Sequence, residues 1–311
     1  MDIECLRALN ALAGYKTMAA AADALHLSPS AVSQQLSRLQ RAVGQELLVK
    51  SGRGVRLTDA GDVLAGHARD VLARLDQARA ELEASVQEVR GDIAVGAFAT
   101  AARGIVVGAV VALSRYPDLT VASHEIEPDC GLLQLQRGDL DVLVLNDWDS
   151  RPLSWPPGIE HIMLGVDLFD VVVPCDHPVA RRCETSLRDL GPEPWIAWPA
   201  GTVCHRWLVT ALRSYGFQPG IAHTAEDHAT QLVLVRARLG VAVLPRLGRP
   251  DLGADLVAVE LVPALVRRVH VAWRAAVSAR PAVQATVQAL KIASARGLVE
   301  LPISRRGSTK R

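Results

Sequence analysis

The residues best equipped for chemistry in this 311-residue chain lie between Ser28 and Arg41. Ser30, Ser33, Gln34, Ser37, Arg38 and Arg41 supply hydroxyls, an amide and guanidinium groups, the donors and acceptors that meet phosphate oxygens and base edges. Val32, Leu36, Leu39 and Val43 recur among them at three- and four-residue spacing, so the two sets fall on different sides of one helix. Any amphipathic surface helix has a polar face. This one carries hydroxyls instead of Glu/Lys pairs, and no acidic residue occurs from Ser28 to Val43. The chemistry implied is non-covalent reading of a DNA groove.

Such a helix needs a support that aims it. Ser28 followed by Pro29 is a strong start signal, a serine N-cap with proline at the first helical position. Before it, the alanine-rich run Met18 to Leu25 has high helix propensity, and His26-Leu27 leaves room only for a tight turn. Ile3, Leu6, Leu9 and Leu12 predict a first helix beneath this pair, ended by Gly14. Leu47 to Lys50 and Val55 to Leu57 predict two short strands around Ser51 to Gly54, a wing with Arg53 at its tip for the minor groove. From Thr58, an N-cap, to about Val89 no proline intervenes. There Leu64, Ala68, Val71, Leu75, Ala78, Leu82 and Val89 form a coiled-coil-like seam. About thirty residues make a rod of roughly 45 Å. One apolar stripe on such a rod is expected to pair two chains, the alternative being packing onto its own chain.

Composition bounds the rest. Half the residues are apolar, as in a globular chain of two or three domains. The net charge is only +1, which excludes a uniformly nucleic-acid-coating protein. Basic residues nonetheless outnumber acidic ones before Thr58, with Arg7, Lys16, Arg38, Arg41, Lys50, Arg53 and Arg56 concentrated there. The five cysteines contain no CxxC pair, which points to a reducing compartment without a zinc site. The longest apolar run, Gly104 to Leu113, is too short to span a bilayer, and no signal peptide opens the chain. The expectation is a cytoplasmic protein with no membrane, metal or cofactor.

Beyond Gly91 short apolar runs alternate with helical patterns. Asp92 to Ala97, Thr120 to Ile126 and Asp141 to Leu145 predict strands, with helices over Thr100 to Tyr116 and Cys130 to Arg137 between them: a doubly wound α/β lobe. A second block has a strand over Asp167 to Pro174, helices over Thr202 to Tyr215 and Thr230 to Leu239, and a strand over Val241 to Leu244. Val269 to Arg274 and the helix from Pro281 to Arg296 return to the first block, so the chain crosses between lobes near Leu164 and near Leu265. The division expected is residues 1–58 for the winged helix-turn-helix and 59–90 for the linker or dimerisation helix. Residues 91–300 form an effector domain, with lobe I over about 91–164 and 266–300 and lobe II over about 165–265, and 301–311 form a disordered tail.

These landmarks resemble the LysR-type transcriptional regulators over nearly the whole chain. The resemblance rests on Ala20-Ala21 with Leu25, on Ser28-Pro-Ser-Ala-Val-Ser33 and on Gly54-Val-Arg-Leu-Thr-Asp-Ala-Gly61. It extends through Gly138-Asp-Leu-Asp-Val142, Val173-Pro-Cys-Asp-His-Pro178 and Gly240-Val-Ala-Val-Leu-Pro245. Leu9 stands where the family often has an aromatic, and Leu48-Val49-Lys50 replaces a commoner Phe-x-Arg. The resemblance implies an α/β protein: an amino-terminal winged helix-turn-helix, a long dimerisation helix and a two-lobed effector domain resembling periplasmic binding proteins. It also implies a homodimer assembling to a homotetramer on double-stranded promoter DNA. Carried over by position, Pro29, Ser30, Ala31, Ser33, Gln34 and Arg38 lie at the DNA, with Arg53 on the wing. Gln34 is the candidate for bidentate readout of adenine.

The resemblance also places a small-molecule effector between the lobes, at the starts of two helices, here Thr100-Ala101 and Thr202-Val203-Cys204. Helix amino termini favour anions, so a carboxylate is the expected class. Both threonines also suit plain N-caps. Glu127 and Asn146 would face the same cleft, and Asp227 beside His228 is a further candidate. Cys204 at a helix start invites a lowered thiol pKa and redox sensing, though no nearby second cysteine offers a resolving partner. The absence of GxSxG, HExxH and GxxxxGK[ST] argues against an enzyme. The competing expectation is a small-molecule binding protein or thiol sensor on the same scaffold.

Overall fold

The structure, a computed structural model, describes residues 1–52, 54–149 and 151–299. Arg53 and the tail 301–311 fall outside the described residues. Helix α1 (Ile3–Tyr15) starts at Asp2, whose carboxylate accepts from the Glu4 amide, and ends one residue beyond the expected Gly14, with Lys16 at φ 65° closing it. Helix α3 (Pro29–Val43) follows its expected Ser28 cap, and helix α2 (Met18–Ala24) is capped by Thr17, which sequence reading did not single out. Thr17 Oγ accepts from Ala20 N, and Ser28 Oγ accepts from Ala31 N. Strands β1 (Leu48–Ser51) and β2 (Gly54–Leu57) pair antiparallel. Leu6, Leu9, Leu12, Val32, Leu36 and Leu39 form the core of this unit.

Helix α4 (Asp59–Val86) is capped by Thr58, whose hydroxyl accepts from Gly61 N and donates to Glu46 O. A Cβ on Gly61 would lie 2.3 Å from the Leu47 carbonyl oxygen, so only glycine lets the helix start cross the base of the hairpin. The expected seam is divided. Leu64 and Ala68 pack on the amino-terminal core, because α4 lies along α1, whereas Val71 and Leu82 remain exposed. Ala80 is buried on the opposite side, and α4 there packs against the turn Ala275–Val277.

The remainder is one twisted sheet with helices on both faces. Its elements in chain order begin with β3 (Gly91–Ala97), α5 (Ala99–Ala101), a π-helical turn Ala102–Val106 running into α6 (Val107–Leu113), β4 (Leu119–Glu125), α7 (Pro128–Arg137) and β5 (Val142–Asp147). They continue with β6 (Ile159–Pro174), β7 (Glu184–Thr185), β8 (Trp195–Ala197), α8 (Val203–Arg213), β9 (Ile221–Thr224), α9 (His228–Arg236), β10 (Val241–Pro245), β11 (Leu256–Arg274) and α10 (Pro281–Ser294). Strand order is β4-β3-β5-β11-β6-β10-β8-β9, with β7 beside β11.

β6 and β11 run antiparallel through both lobes and are longer than their apolar runs suggest. Ile159 to Leu164 alternates half-buried with exposed residues, so no continuous apolar stretch announces it. The register shifts between Glu260 and Leu265 and again between Val269 and His270, opposite Leu164. Two cores lie on either side of these shifts. One is built on Ile93, Val95, Ile105, Val144 and Leu290, the other on Phe169, Val171, Trp195, Leu208 and Val243.

Candidate functional sites

On α3 the apolar residues Val32, Leu36 and Leu39 turn into the core, which leaves Pro29, Ser30, Ser33, Gln34 and Arg38 exposed on the other side. Ala31 is half-buried, its amide held by Ser28. Ser30 Oγ lies 2.9 Å from Ser28 Oγ. Arg38 has only a long contact with Asp2, 3.7 Å between two exposed side chains, too weak to fix its guanidinium. Gln40 escaped the sequence reading. Its Oε1 accepts from Leu47 N at 2.9 Å and Leu48 N at 3.1 Å, so the carboxyl end of α3 fixes where the hairpin begins.

The second site is the cleft between the lobes. Where the lobes meet, Arg267 on β11, only 5% exposed, pairs with Asp167 on β6, which is fully buried. Arg267 donates to Asp167 Oδ2 from Nε at 2.9 Å and from Nη2 at 2.7 Å, and from Nη2 to Thr100 Oγ1 at 2.5 Å. Its guanidinium lies 4.7 Å from the Phe98 ring centroid and 5.3 Å from that of Phe169, so an aromatic from each lobe flanks the charge. Asp167 also accepts from Leu247 N at 2.9 Å. The amide and the two guanidinium bonds satisfy a charge that burial alone would not tolerate.

This arrangement revises several expected roles. Thr100 is not a cap: Phe98 precedes α5, and Thr100 is 2% exposed with its hydroxyl engaged by Arg267. The Ala101 side chain is fully buried in the lobe I core, which leaves only its backbone for a ligand. Thr202 is the N-cap of α8, accepting from His205 N and donating to Pro199 O. Asp227 is the N-cap of α9. Its bonds from Thr230 and Ala229 hold its carboxyl below the usual range, which commits the side chain to the helix start.

Val203 and Cys204 pack at the edge of the lobe II core, and Asn146 is half-buried at the end of β5. Glu127 precedes α7 without capping it. Desolvation of its carboxyl, and then the charge of Glu226, push its pKa up. Burial pushes the Cys204 thiol up to about 11, which reverses the lowered value expected at a helix start. His228, 7% exposed and edge-on to Trp198, is lowered to about 4 by burial and then by Arg267 and Arg103, so it is neutral near pH 7.

Arg267 and Asp167 are the cleft residues that sequence reading missed. The available signal was a charge inside otherwise apolar strands, Gly165-Val-Asp167-Leu-Phe and Leu265-Val-Arg267.

A helix-turn-helix with an open polar face, tied through a long helix to a two-lobed ligand-binding sheet, defines a DNA-binding regulator of the ligand-responsive class. Comparison with known proteins agrees. Residues 3–62 match the model of the bacterial regulatory helix-turn-helix protein, lysR family, and residues 86–294 match the LysR substrate binding domain. The chain therefore belongs to the LysR family of transcriptional regulators.

It is 30% identical over 252 residues to the transcriptional regulator ShiR of Corynebacterium glutamicum, covering 78% of this chain and 82% of the relative. It is 28% identical over 249 residues to the uncharacterized regulator YnfL of Escherichia coli, covering 79% of this chain and 82% of the relative. A full-length OxyR from Pseudomonas aeruginosa shares the fold, with a TM-score of 0.71 at 21% identity over 94% of this chain and 98% of that one. Among the described residues no helix is long and apolar enough to cross a membrane.

Proposed function

We propose that the chain reads double-stranded promoter DNA as a homodimer that assembles further to a homotetramer in the cytoplasm, under the control of a small carboxylate. The division that goes with this reading is residues 1–58 for DNA, 59–90 for pairing and 91–300 for the effector. Pro29, Ser30, Ala31, Ser33, Gln34 and Arg38 meet the groove, Gln34 reads a base, and Arg53 serves the wing. The observation that carries the reading is the exposed, acid-free polar face of α3, aimed outward by a core that takes every large apolar residue of that helix.

Pairing is supported by α4, where Val63, Val71, Leu82 and Val86 leave an exposed apolar stripe. A carboxylate is supported by Arg267, whose Nη1 has no protein acceptor among the described residues, close to the amino terminus of α8. Val203, Cys204, Asn146 and Glu127 line the same cleft in this reading. The ligand biases the closure of the lobes and is not turned over.

The experiment is binding of the purified protein to the intergenic DNA beside its own gene, titrated with salt. Tight, sequence-selective binding that weakens steeply with salt is expected. Gln34→Ala should cost about 1–3 kcal/mol at one base position, and Arg38→Ala should weaken all sequences alike with a shallower salt slope. Equal, weak binding to any duplex would remove the reading.

A further inference from the structure

The amino-terminal domain is held to the effector domain by more than the linker helix. At the carboxyl end of α1, Gly14 offers its carbonyl to Arg137 Nη2 at 2.8 Å, and the Arg137 guanidinium lies 4.5 Å from the centroid of the Tyr15 ring. The Tyr15 hydroxyl donates to the Asp139 carboxylate. Arg137 is the last residue of α7, and Asp139 follows its left-handed cap Gly138. Burial, and then Asp139, raise the Tyr15 pKa, which keeps the phenol a donor at any physiological pH.

A second, separate set of contacts ties α4 to the same lobe. Arg274 Nη1 donates to Asp76 at 3.0 Å, and Arg280 Nε donates to Glu83 at 3.0 Å. Between the two sets lies a cavity of about 810 Å³ whose walls include Asn10, Tyr15, Asp70, Arg137 and Glu160. Among the described residues the amino-terminal domain therefore meets the lobe through a small polar patch, Gly14 and Tyr15 against Arg137 and Asp139, beside unfilled space, whereas α4 has its own anchors. Small polar interfaces next to unfilled space open at low cost, because few packed contacts are lost. Opening this one would free α1 to α3, together with the first turns of α4 that pack on them, to move relative to the lobe by bending α4 between Ala68 and its anchor at Asp76. The inward residues of α7, Gly131 and Leu135, are buried against the sheet, so its Arg137 end cannot follow and the contact must break cleanly.

We propose that Gly14 and Tyr15 with Arg137 and Asp139 form a latch that fixes the orientation of the recognition helix relative to the effector domain. The latch sets the relative placement of the two recognition helices in a dimer and thereby the DNA spacing and bend the protein accepts. This goes beyond the reading of the cleft and does not depend on what fills it.

The test is amide hydrogen exchange on the full-length protein without DNA, comparing the native chain with Tyr15→Phe/Arg137→Ala. Tyr15→Phe keeps the ring that packs on the amino-terminal core and removes only the hydroxyl. Exchange at Leu12 to Lys16 should accelerate at least tenfold while α10 and the central strands are unchanged, and small-angle scattering should report a larger radius of gyration. Asp139→Asn, which keeps an acceptor and removes the charge, should give an intermediate rate. On the promoter fragment the double variant should change the footprint length or the bend while non-specific affinity stays the same. Exchange and radius like those of the native chain would overturn the latch. So would faster exchange with an unchanged footprint, since the contact would then open without bearing on DNA.

Discussion

Arg267 and Thr100, 167 residues apart in the chain, are joined by a 2.5 Å hydrogen bond linking the long strand shared by both lobes to the first helix of the effector domain. The same guanidinium neutralises Asp167, so three residues from three separate elements share one buried polar network. Removing one partner from such a network leaves the others desolvated and unpaired, which costs more than the bonds contribute.

Thr100→Val should therefore destabilise the protein by about 1–3 kcal/mol through one unpaired Arg267 N–H. Arg267→Met should cost about 3–5 kcal/mol, because it strands the Asp167 carboxylate. Arg267→Met with Asp167→Leu should recover most of that loss, since no charge remains buried. Urea unfolding of the three variants checks this, and a single Arg267→Met variant as stable as the native protein would refute it.

His228 links stability to pH. Its native pKa of about 4 lies below the ordinary 6.5, so as pH falls the unfolded chain takes up the proton first. Stability from this group is whole above about pH 6.5 and declines as pH falls toward 4, by about 2 kcal/mol at pH 5. His228→Gln should flatten that interval. The check is the difference between urea midpoints at pH 7 and pH 5, which should be smaller in the variant than in the native chain.

The amino-terminal unit was legible because its signals are local. Ser28-Pro29 and Thr58 are caps read from a few residues, and Val32, Leu36 and Leu39 follow one helical period. The cleft was legible only in part. Thr202 and Asp227 are helix starts, as their types suggest, but their side chains are spent on capping. Arg267 and Asp167 escaped because the two are 100 residues apart and only strand pairing joins them. The divided seam of α4 escaped for a related reason: periodicity shows that Leu64, Ala68, Val71 and Leu82 share a side, not which part of it the chain itself covers.

The raised Cys204 pKa makes a kinetic prediction. At pH 8 a thiol of pKa about 11 is ionised about one part in a thousand, against roughly a quarter for an unperturbed thiol. Alkylation by iodoacetamide should be about two hundredfold slower at Cys204 than for free cysteine in solution, as followed by peptide mass spectrometry. A rate comparable to that of free cysteine would reopen a redox role for this site.

The exposed stripe on α4 yields the last prediction. Val71 is 46% and Leu82 is 70% exposed, a costly arrangement for large aliphatic groups on a single helix unless another surface covers them. Neither side chain belongs to the chain's own hydrophobic clusters, so charging them should leave the monomer fold nearly intact. Covering a Val and a Leu on each of two chains removes apolar area worth several kcal/mol, at about 1.5–3 kcal/mol per fully buried side chain. Val71→Glu/Leu82→Glu should therefore weaken the dimer at least a hundredfold in sedimentation equilibrium, with circular dichroism unchanged. DNA affinity should fall with it, because two half-sites can no longer be held at once. A double variant that stays dimeric at nanomolar concentration would place the subunit contact elsewhere on the molecule.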